Sequence, residues 1–471
     1  MQLLVLIVNL VFYLAFPLHD GAILHKDSMS YVTMDISREP LYPLFLALLR
    51  RLFGVESATN EQGSIVGLDG YLFAAVLIQA VAAAFAAFCV FRLFRSFGKT
   101  KRQGWLLGLA ANACIWAPEL LNRFYAARAS GYTESIMTEG LGIPFFLLFM
   151  VELFNVFRDH RKRDFVLLLV LMFLCVSLRK QLAVTVLTFG AAAFFGDLIG
   201  RRRARRFLAA VIGAVLVLAG SALFDCTYNY FVHGAFAQHT GNAMGIDCVL
   251  LYTADESDAA LFPEGELRDL FVSMEAEMKE RQLRMVDVPA DADWMARTDH
   301  FADSYDVIGY DVLNQAMFDY MTSHPELGDS TVQWFGGIDR MEVQLRNCLL
   351  RQNPSRFLSL WRMEAAEGLV NTILRKSVRF AYAALALYTL YLLLMLALLF
   401  RRRRLMKGNQ IAPEALAVSD TLRMAALLLL AIVINTLVVS ALIFPQTRYM
   451  IYGMGLFYAV LFLMLVKMFR G

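Results

Sequence analysis

Residues 378–404 read VRFAYAALALYTLYLLLMLALLFRRRR, a long run of Leu, Ala and aromatic residues closed by four arginines. A helix rising ~1.5 Å per residue needs roughly 20 apolar residues to cross about 30 Å of hydrocarbon. This stretch therefore has the length and polarity of a membrane span with a basic stop at one end. Similar apolar segments recur at about 2–17, 71–91, 104–120, 139–157, 165–178, 182–199, 207–225, 421–443 and 449–468, about ten spans in all. With 471 residues, 58% hydrophobic, and mean hydropathy +0.53, the chain is too apolar for an ordinary water-soluble enzyme. The net charge of +3 says little; the placement of the charges says more.

FRLFRSFGKTKRQ (91–103), FRDHRKRDF (157–165), GRRRARRF (200–207) and FRRRRLMKGNQ (400–410) fall at every second junction between spans. Dense Lys and Arg in short loops mark the cytoplasmic side. The alternation closes with both termini cytoplasmic and the 18–70 loop outside. Each Arg run abuts a span, which argues against nucleic acid as a partner and for the lipid bilayer. The N-terminal MQLLVLIVNLVFYLAF lacks a basic n-region and a small-residue cleavage site, and reads as a retained first span.

The expected fold is an all-α polytopic membrane protein: a transmembrane catalytic module over 1–225, an extracytoplasmic, mostly helical domain over 226–376, and C-terminal spans over 377–471. NPSR at 353–356 supplies a helix start inside the outer domain. LYPLFLALLRRLFG (41–54) is too short to span. It is expected to lie amphipathically on the membrane, Leu and Phe in lipid and Arg50 and Arg51 among headgroups. Cys89, Cys114 and Cys175 sit in apolar runs as small hydrophobes. Cys248 and Cys348 lie in the outer segment, where a disulfide between them is left open.

Polar residues gather between the spans. Asp27 and Asp35 are carboxylates of the first outer loop, where burial or neighbours can tune a general base; capping is the competing role. Glu134 and Glu139, in GYTESIMTEGLGI (131–143), stand where the second outer loop enters a span, each preceded by a Thr that makes local capping an alternative. Glu139 lies near the interface, where an ionisable group is expensive. Arg179 and Lys180 in SLRKQL, and Arg448 in FPQTRY, are cations at the outer edge, suited to headgroup anchoring or to a lipid phosphate. Arg38 stands beside Glu39 as a local ion-pair candidate. The seven His show no metal spacing, His233 and His239 included, and nothing in the spacing supports a divalent ion on dispersed oxygens. G-x-S-x-G, Walker and Rossmann fingerprints are absent.

KDSMSYVTMDISREPLYPLFLALLRRLFG (26–54) resembles the first outer loop of GT-C membrane glycosyltransferases, with an Asp-Ser-x-x-Tyr element, Arg-x-Pro-x-Tyr-Pro and an amphipathic helix. SIMTEGLGIPFFLLF (135–149) is similar to their acidic entry to the fourth span, VSLRKQLAVTVL (176–187) to their Arg-bearing hairpin, and FPQTRYMIYGMGLFY (444–458) to their late Pro-x-x-Arg-Tyr helix. Relatives include protein O-mannosyltransferases and the enzymes that add aminoarabinose to lipid A. The match runs through the membrane part at intervals; 226–376 matches nothing in the pattern.

The resemblance implies an inverting transfer of a sugar from a polyprenyl-phosphate carrier to an extracytoplasmic acceptor, in a bacterial plasma membrane. Asp27 becomes the base, with Asp35 as a competitor, and Glu134 or Glu139 a second acid. Arg38, Arg179 and Arg448 stabilise the departing phosphate, with Tyr31, Lys180 and Tyr449 as further substrate contacts. No acidic pair occurs in the first loop, which disfavours the metal-dependent version. Two other readings stand beside it, a transporter or flippase of a lipid-linked glycan and a membrane glycan polymerase or ligase. The spans are nearly free of charge and the ionisable groups crowd one edge, which favours surface chemistry over passage.

Overall fold

The computed structural model describes all residues except 55–64, 67–69, 126–129, 199–203, 241–243, 328–330, 407–412 and 470–471. In chain order the long helices are α1 (Gln2–Asp20), α2 (Ser28–Val32), α3 (Leu41–Phe53), α4 (Gly70–Ser96), α5 (Lys101–Tyr125), α6 (Glu139–Asp159), α7 (Lys162–Leu178), α8 (Val184–Leu198) and α9 (Ala204–His233). They continue as α10 (Met244–Thr253), α11 (Glu266–Glu280), α12 (Trp294–Val307), α13 (Gln315–Ser323), α14 (Thr331–Leu349) and α15 (Pro354–Ile373). The chain closes with α16 (Val378–Leu405), α17 (Pro413–Leu442), α18 (Thr447–Met450) and α19 (Met454–Phe469). One two-stranded antiparallel sheet pairs β1 (Ala22–Ile23) with β2 (Ile65–Val66).

Among the described residues, eight helices are long and apolar enough to cross a membrane, the build of a polytopic helical membrane protein. The two segments that would make ten are α7 and α8, of 17 and 15 residues. At ~1.5 Å per residue they cover roughly 23–26 Å, short of the ~30 Å hydrocarbon core. They form a hairpin through 179–183, so the side-to-side alternation of the remaining helices is the same with or without them.

Small residues decide how closely the bundle packs. α4 turns Ala75, Ala80, Ala84, Ala86 and Ala87 fully inward and touches α1, α5 and α6 along its length, the close approach that small side chains allow between membrane helices. The continuous segment Thr447–Phe469, from α18 through α19, is central, with 83% of its apolar stretch buried, whereas α1, α9 and α16 are peripheral at 22% each. The basic connectors meet at one end of the bundle: Arg401 pairs with Glu414, Lys99 reaches the same carboxylate at 3.4 Å, and Arg158 pairs with Asp159 at 2.8 Å.

At the opposite end a second hydrophobic core, built by α10–α15, contains Phe271, Phe301, Ile308, Met317 and Leu345. α9 runs past the boundary expected at 225/226, to His233. Asn353 caps α15 through its side chain and Ser355 N–H at 3.1 Å, as the NPSR pattern predicts. Cys248 and Cys348 are both free thiols, so the bridge left open by the sequence is not made. Tyr305 on α12 donates to the Leu442 carbonyl at 3.4 Å and packs its ring 5.3 Å from Phe444. Thr240 N–H donates to the Ile36 carbonyl at 3.2 Å. The second core is thereby docked on the connector that leads into α18, and the segment after α9 on the first loop.

α3 buries Tyr42, Leu46 and Leu49 and leaves Leu48, Leu52, Phe53 and Arg51 exposed, as an amphipathic surface helix should. Arg50 is tied back to the first loop and α4. Its Nη2 donates to the Val32 carbonyl at 2.7 Å and its guanidinium lies 5.4 Å from the Tyr71 ring centroid. The carbonyl at the end of α2 is thereby given a donor.

Candidate functional site

The first loop is held by backbone pairing on both sides. Ile23 receives from Ile136 N–H (2.9 Å) and donates to the Glu134 carbonyl (2.8 Å), tying β1 to the 130–138 hairpin. Ser28, fully buried, donates to the Ile136 carbonyl at 2.8 Å and accepts His25 N–H at 2.7 Å. A glutamine inside an apolar span holds the hairpin from below: Gln79 Nε2 donates to the Thr133 and Ser135 carbonyls at 3.0 Å each, and its Oε1 accepts the Tyr42 hydroxyl at 2.7 Å. Buried polar groups of this kind are retained only when fully partnered. Gly140 is required beside it, since a Cβ there would come within 2.5 Å of Gln79 Nε2.

On this platform Asp27 is gripped from two sides. Arg38 Nη2 donates to Oδ1 at 3.2 Å and Arg448 Nη1 to Oδ2 at 2.9 Å. Arg38 is itself aimed by Ser30, whose Oγ accepts Nε at 2.7 Å, and it stacks 4.9 Å from the Tyr31 ring centroid. Arg38 thus pairs with Asp27, not with its neighbour Glu39, whose carboxylate accepts the Lys180 N–H at 2.6 Å. Burial pushes the Asp27 carboxyl up, but Arg448 and Arg38 outweigh it and hold the carboxyl below its ordinary value.

The second half of the cluster comes from the α7–α8 hairpin and α18. Arg179 Nη1 donates to Glu139 Oε1 at 2.6 Å. Arg179 and Arg448 both lie 4.8 Å from the ring centroid of Tyr449, and Arg448 Nη2 donates to its hydroxyl at 2.7 Å. Arg448 Nε is buried and finds no hydrogen-bond partner among the described residues. Three guanidiniums and two carboxylates, drawn from four separate stretches of chain, are thus gathered at one end of the bundle, with two of the guanidiniums, Arg179 and Arg448, on the Tyr449 ring.

A cavity of about 220 Å³ opens from this cluster. Glu139 and Arg448 line it, together with the polar side chains of His25, Asn122, Ser130, Ser135, Gln446 and Thr447. The His25 ring lies 3.1 and 3.2 Å from the Ser135 and Ser130 hydroxyls.

The structure brings Asp27, Tyr31, Arg38, Glu139, Arg179, Arg448 and Tyr449 together and leaves three candidates apart. Glu134 sits behind the cavity wall, accepting Gly131 N–H at 2.5 Å, 3.7 Å from Arg123, which also pairs with Asp20 at 2.5 Å. Burial, against the pull of Gly131 and Arg123, raises its carboxyl to about 7. Lys180 has an exposed side chain. Asp35 accepts Ser37 N–H at 2.8 Å and its hydroxyl at 2.6 Å, a local turn role.

Residues that sequence reasoning missed come mostly from the wall and from the outer domain. Asp306 and Tyr310, exposed at the junction of α12 with the π-helical turn Ile308–Asn314, lie within electrostatic reach of Asp27, and Asp306 also of Arg448 and Lys26. Nothing in the local sequence marks them; only the docking of α12 on Phe444 puts them there. Among the described residues, no group of three or more His, Cys, Asp or Glu is placed to hold a metal ion. Compared with family models, curated proteins and solved structures, the chain matches none.

Proposed function

We propose that this protein transfers a sugar from a polyprenyl-phosphate carrier to a hydroxyl acceptor at the extracytoplasmic face of a bacterial plasma membrane, as a GT-C-like glycosyltransferase. The observation that carries the reading is the Asp27 carboxylate held between Arg38 and Arg448 beside a polar cavity. Guanidinium matches phosphate oxygens in geometry and charge, and a carboxylate kept ionised is ready to accept a proton.

In this account the carrier phosphate binds Arg448, whose Nε is unpartnered, together with Arg38 or Arg179. Each arginine drawn to the phosphate loosens its hold on Asp27 and raises that carboxylate's basicity, so the base gains strength when donor is present. The acceptor oxygen then bonds to the anomeric carbon while the bond from that carbon to the phosphate oxygen breaks. The acceptor proton passes to Asp27 and on to water, and the phosphate leaves with the bonding electron pair, stabilised by the guanidiniums. Inversion follows from a single displacement.

Equilibrium binding of a polyprenyl phosphate to the purified protein tests the reading. Arg448→Gln and Arg38→Gln should each weaken binding by about tenfold or more, while a cytoplasmic-end control, Arg402→Gln, should not. Equal binding by all three would remove the phosphate site and the reading with it.

A further inference from the structure

The charge balance around the cavity points to the kind of sugar, an inference that rests on the donor reading above. A sugar joined to the carrier phosphate must lie one bond from the guanidinium cluster, and the cavity bounded by Arg448 is a space of suitable size at that position. Its carboxylate and guanidinium lining side chains among the described residues are Glu139 and Arg448, and each already has a partner, Arg179 and Asp27; the His25 ring, also in the lining, lies 3.1 and 3.2 Å from the Ser135 and Ser130 hydroxyls. The cluster's three guanidiniums face two carboxylates, leaving one net positive charge.

A polyprenyl phosphosugar carries one negative charge on its phosphodiester, which closes that balance. The rim adds the exposed Lys26 and Lys180 against the half-buried Glu39 and the exposed Asp306 and leaves it unchanged. Farther back, Arg123, Asp20 and Glu134 form their own group, and none of them lines the cavity. The rest of the wall offers Asn122, Gln446, Thr447 and serine hydroxyls, which donate and accept without charge.

We infer that the transferred sugar is a neutral monosaccharide, not an amino sugar or a uronic acid. An ammonium or carboxylate on the ring would enter the cavity with no opposing charge left to meet it, and an unpaired charge out of bulk water is strongly disfavoured.

The test is equilibrium binding to the full-length protein in lipid-detergent micelles near neutral pH. Four lipids with one polyprenyl chain are compared: phosphoglucose and phosphomannose (neutral), phospho-4-amino-4-deoxyarabinose (cationic) and phosphogalacturonate (anionic). At least one neutral lipid should bind about tenfold or more tighter than either charged one. In Gln446→Glu, which adds one negative charge to the wall at the start of α18, the cationic lipid should gain on the neutral ones by a similar factor. Equal affinities, or a preference for a charged sugar, overturn the inference while the phosphate site stands. Wild-type discrimination that Gln446→Glu leaves unmoved overturns the placement of the sugar in this cavity. Failure of all four lipids to bind overturns the donor reading itself.

Discussion

Arg179 and Glu139 provide a test that needs no substrate. Their 2.6 Å pair lies at the mouth of the bundle, with the Glu139 side chain 2% and the Arg179 side chain 16% exposed. At that distance and an effective dielectric near 20, the gross attraction is about 6 kcal/mol. Much of it is offset by the cost of taking both ions out of water, so the pair's net worth is far smaller. Removing one partner is another matter, because the remaining ion keeps its desolvation cost and loses its counter-charge. Arg179→Gln should destabilise by about 3–5 kcal/mol, and Glu139→Gln by a comparable amount. The double variant should be less destabilised than the sum of the two, with a coupling of about 1–3 kcal/mol. Reversible unfolding in mixed micelles, followed by tryptophan fluorescence, gives the four corners of the cycle. Additive single losses, or an Arg179→Gln loss below about 1 kcal/mol, would refute the view that this is a desolvated, interdependent pair.

The remaining expectations follow from the same geometry. In Arg448→Gln the largest influence lowering the Asp27 carboxyl is gone, so its pKa should rise. The protonated-carboxyl infrared band assigned through Asp27→Asn should persist to higher pH than in the wild type, and an unmoved band would contradict the pairing. Pairing also means that Asp27 contributes stability above its unfolded pKa, lost as pH falls through the lowered folded value. Glu134 has the opposite sign: its carboxyl is raised from 4.5 to about 7, so stability is greatest below 4.5 and declines as pH rises toward 7, by a few kcal/mol. Glu134→Gln should flatten that decline in a pH-resolved unfolding series. Gln79→Leu strands the Tyr42 hydroxyl and the Thr133 and Ser135 carbonyls, at about 1–3 kcal/mol for each group left unsatisfied. Hydrogen exchange should quicken across 131–137 and stay unchanged in the outer core.

The spans and the basic alternation were legible because hydropathy over some twenty residues reports a solvent, and that signal needs no partner. The α7–α8 hairpin shows where the signal stops: an apolar segment of 17 residues satisfies a hydropathy reading whether or not it crosses completely. Site residues were legible where a charge broke an apolar context, as at Arg179, Arg448 and Glu139. Asp27 stood out through a short motif, but its two arginine partners lie 11 and 421 positions away, and no local pattern states such pairings. Glu134 and Glu139 looked alike in sequence; the irregular backbone between them, ahead of α6, sends them into different clusters. Gln79 and Asn122 read as ordinary polar interruptions of helices, and Asp306 depends on how a separate core docks. The bond from Arg50 to the Val32 carbonyl was not legible, because that carbonyl belongs to an element the sequence alone does not locate.

The central claim is that Asp27 accepts the acceptor's proton while the arginines hold the phosphate. The most direct measurement is the rate of polyprenyl-phosphate release from a polyprenyl-phosphate sugar in membranes that carry the natural acceptor, comparing wild type with Asp27→Asn, alongside donor binding by the purified proteins. General-base catalysis contributes about 10²–10⁴-fold, so release should fall by that factor in Asp27→Asn while donor binding is retained. Wild-type release rates in a properly folded Asp27→Asn would contradict the account.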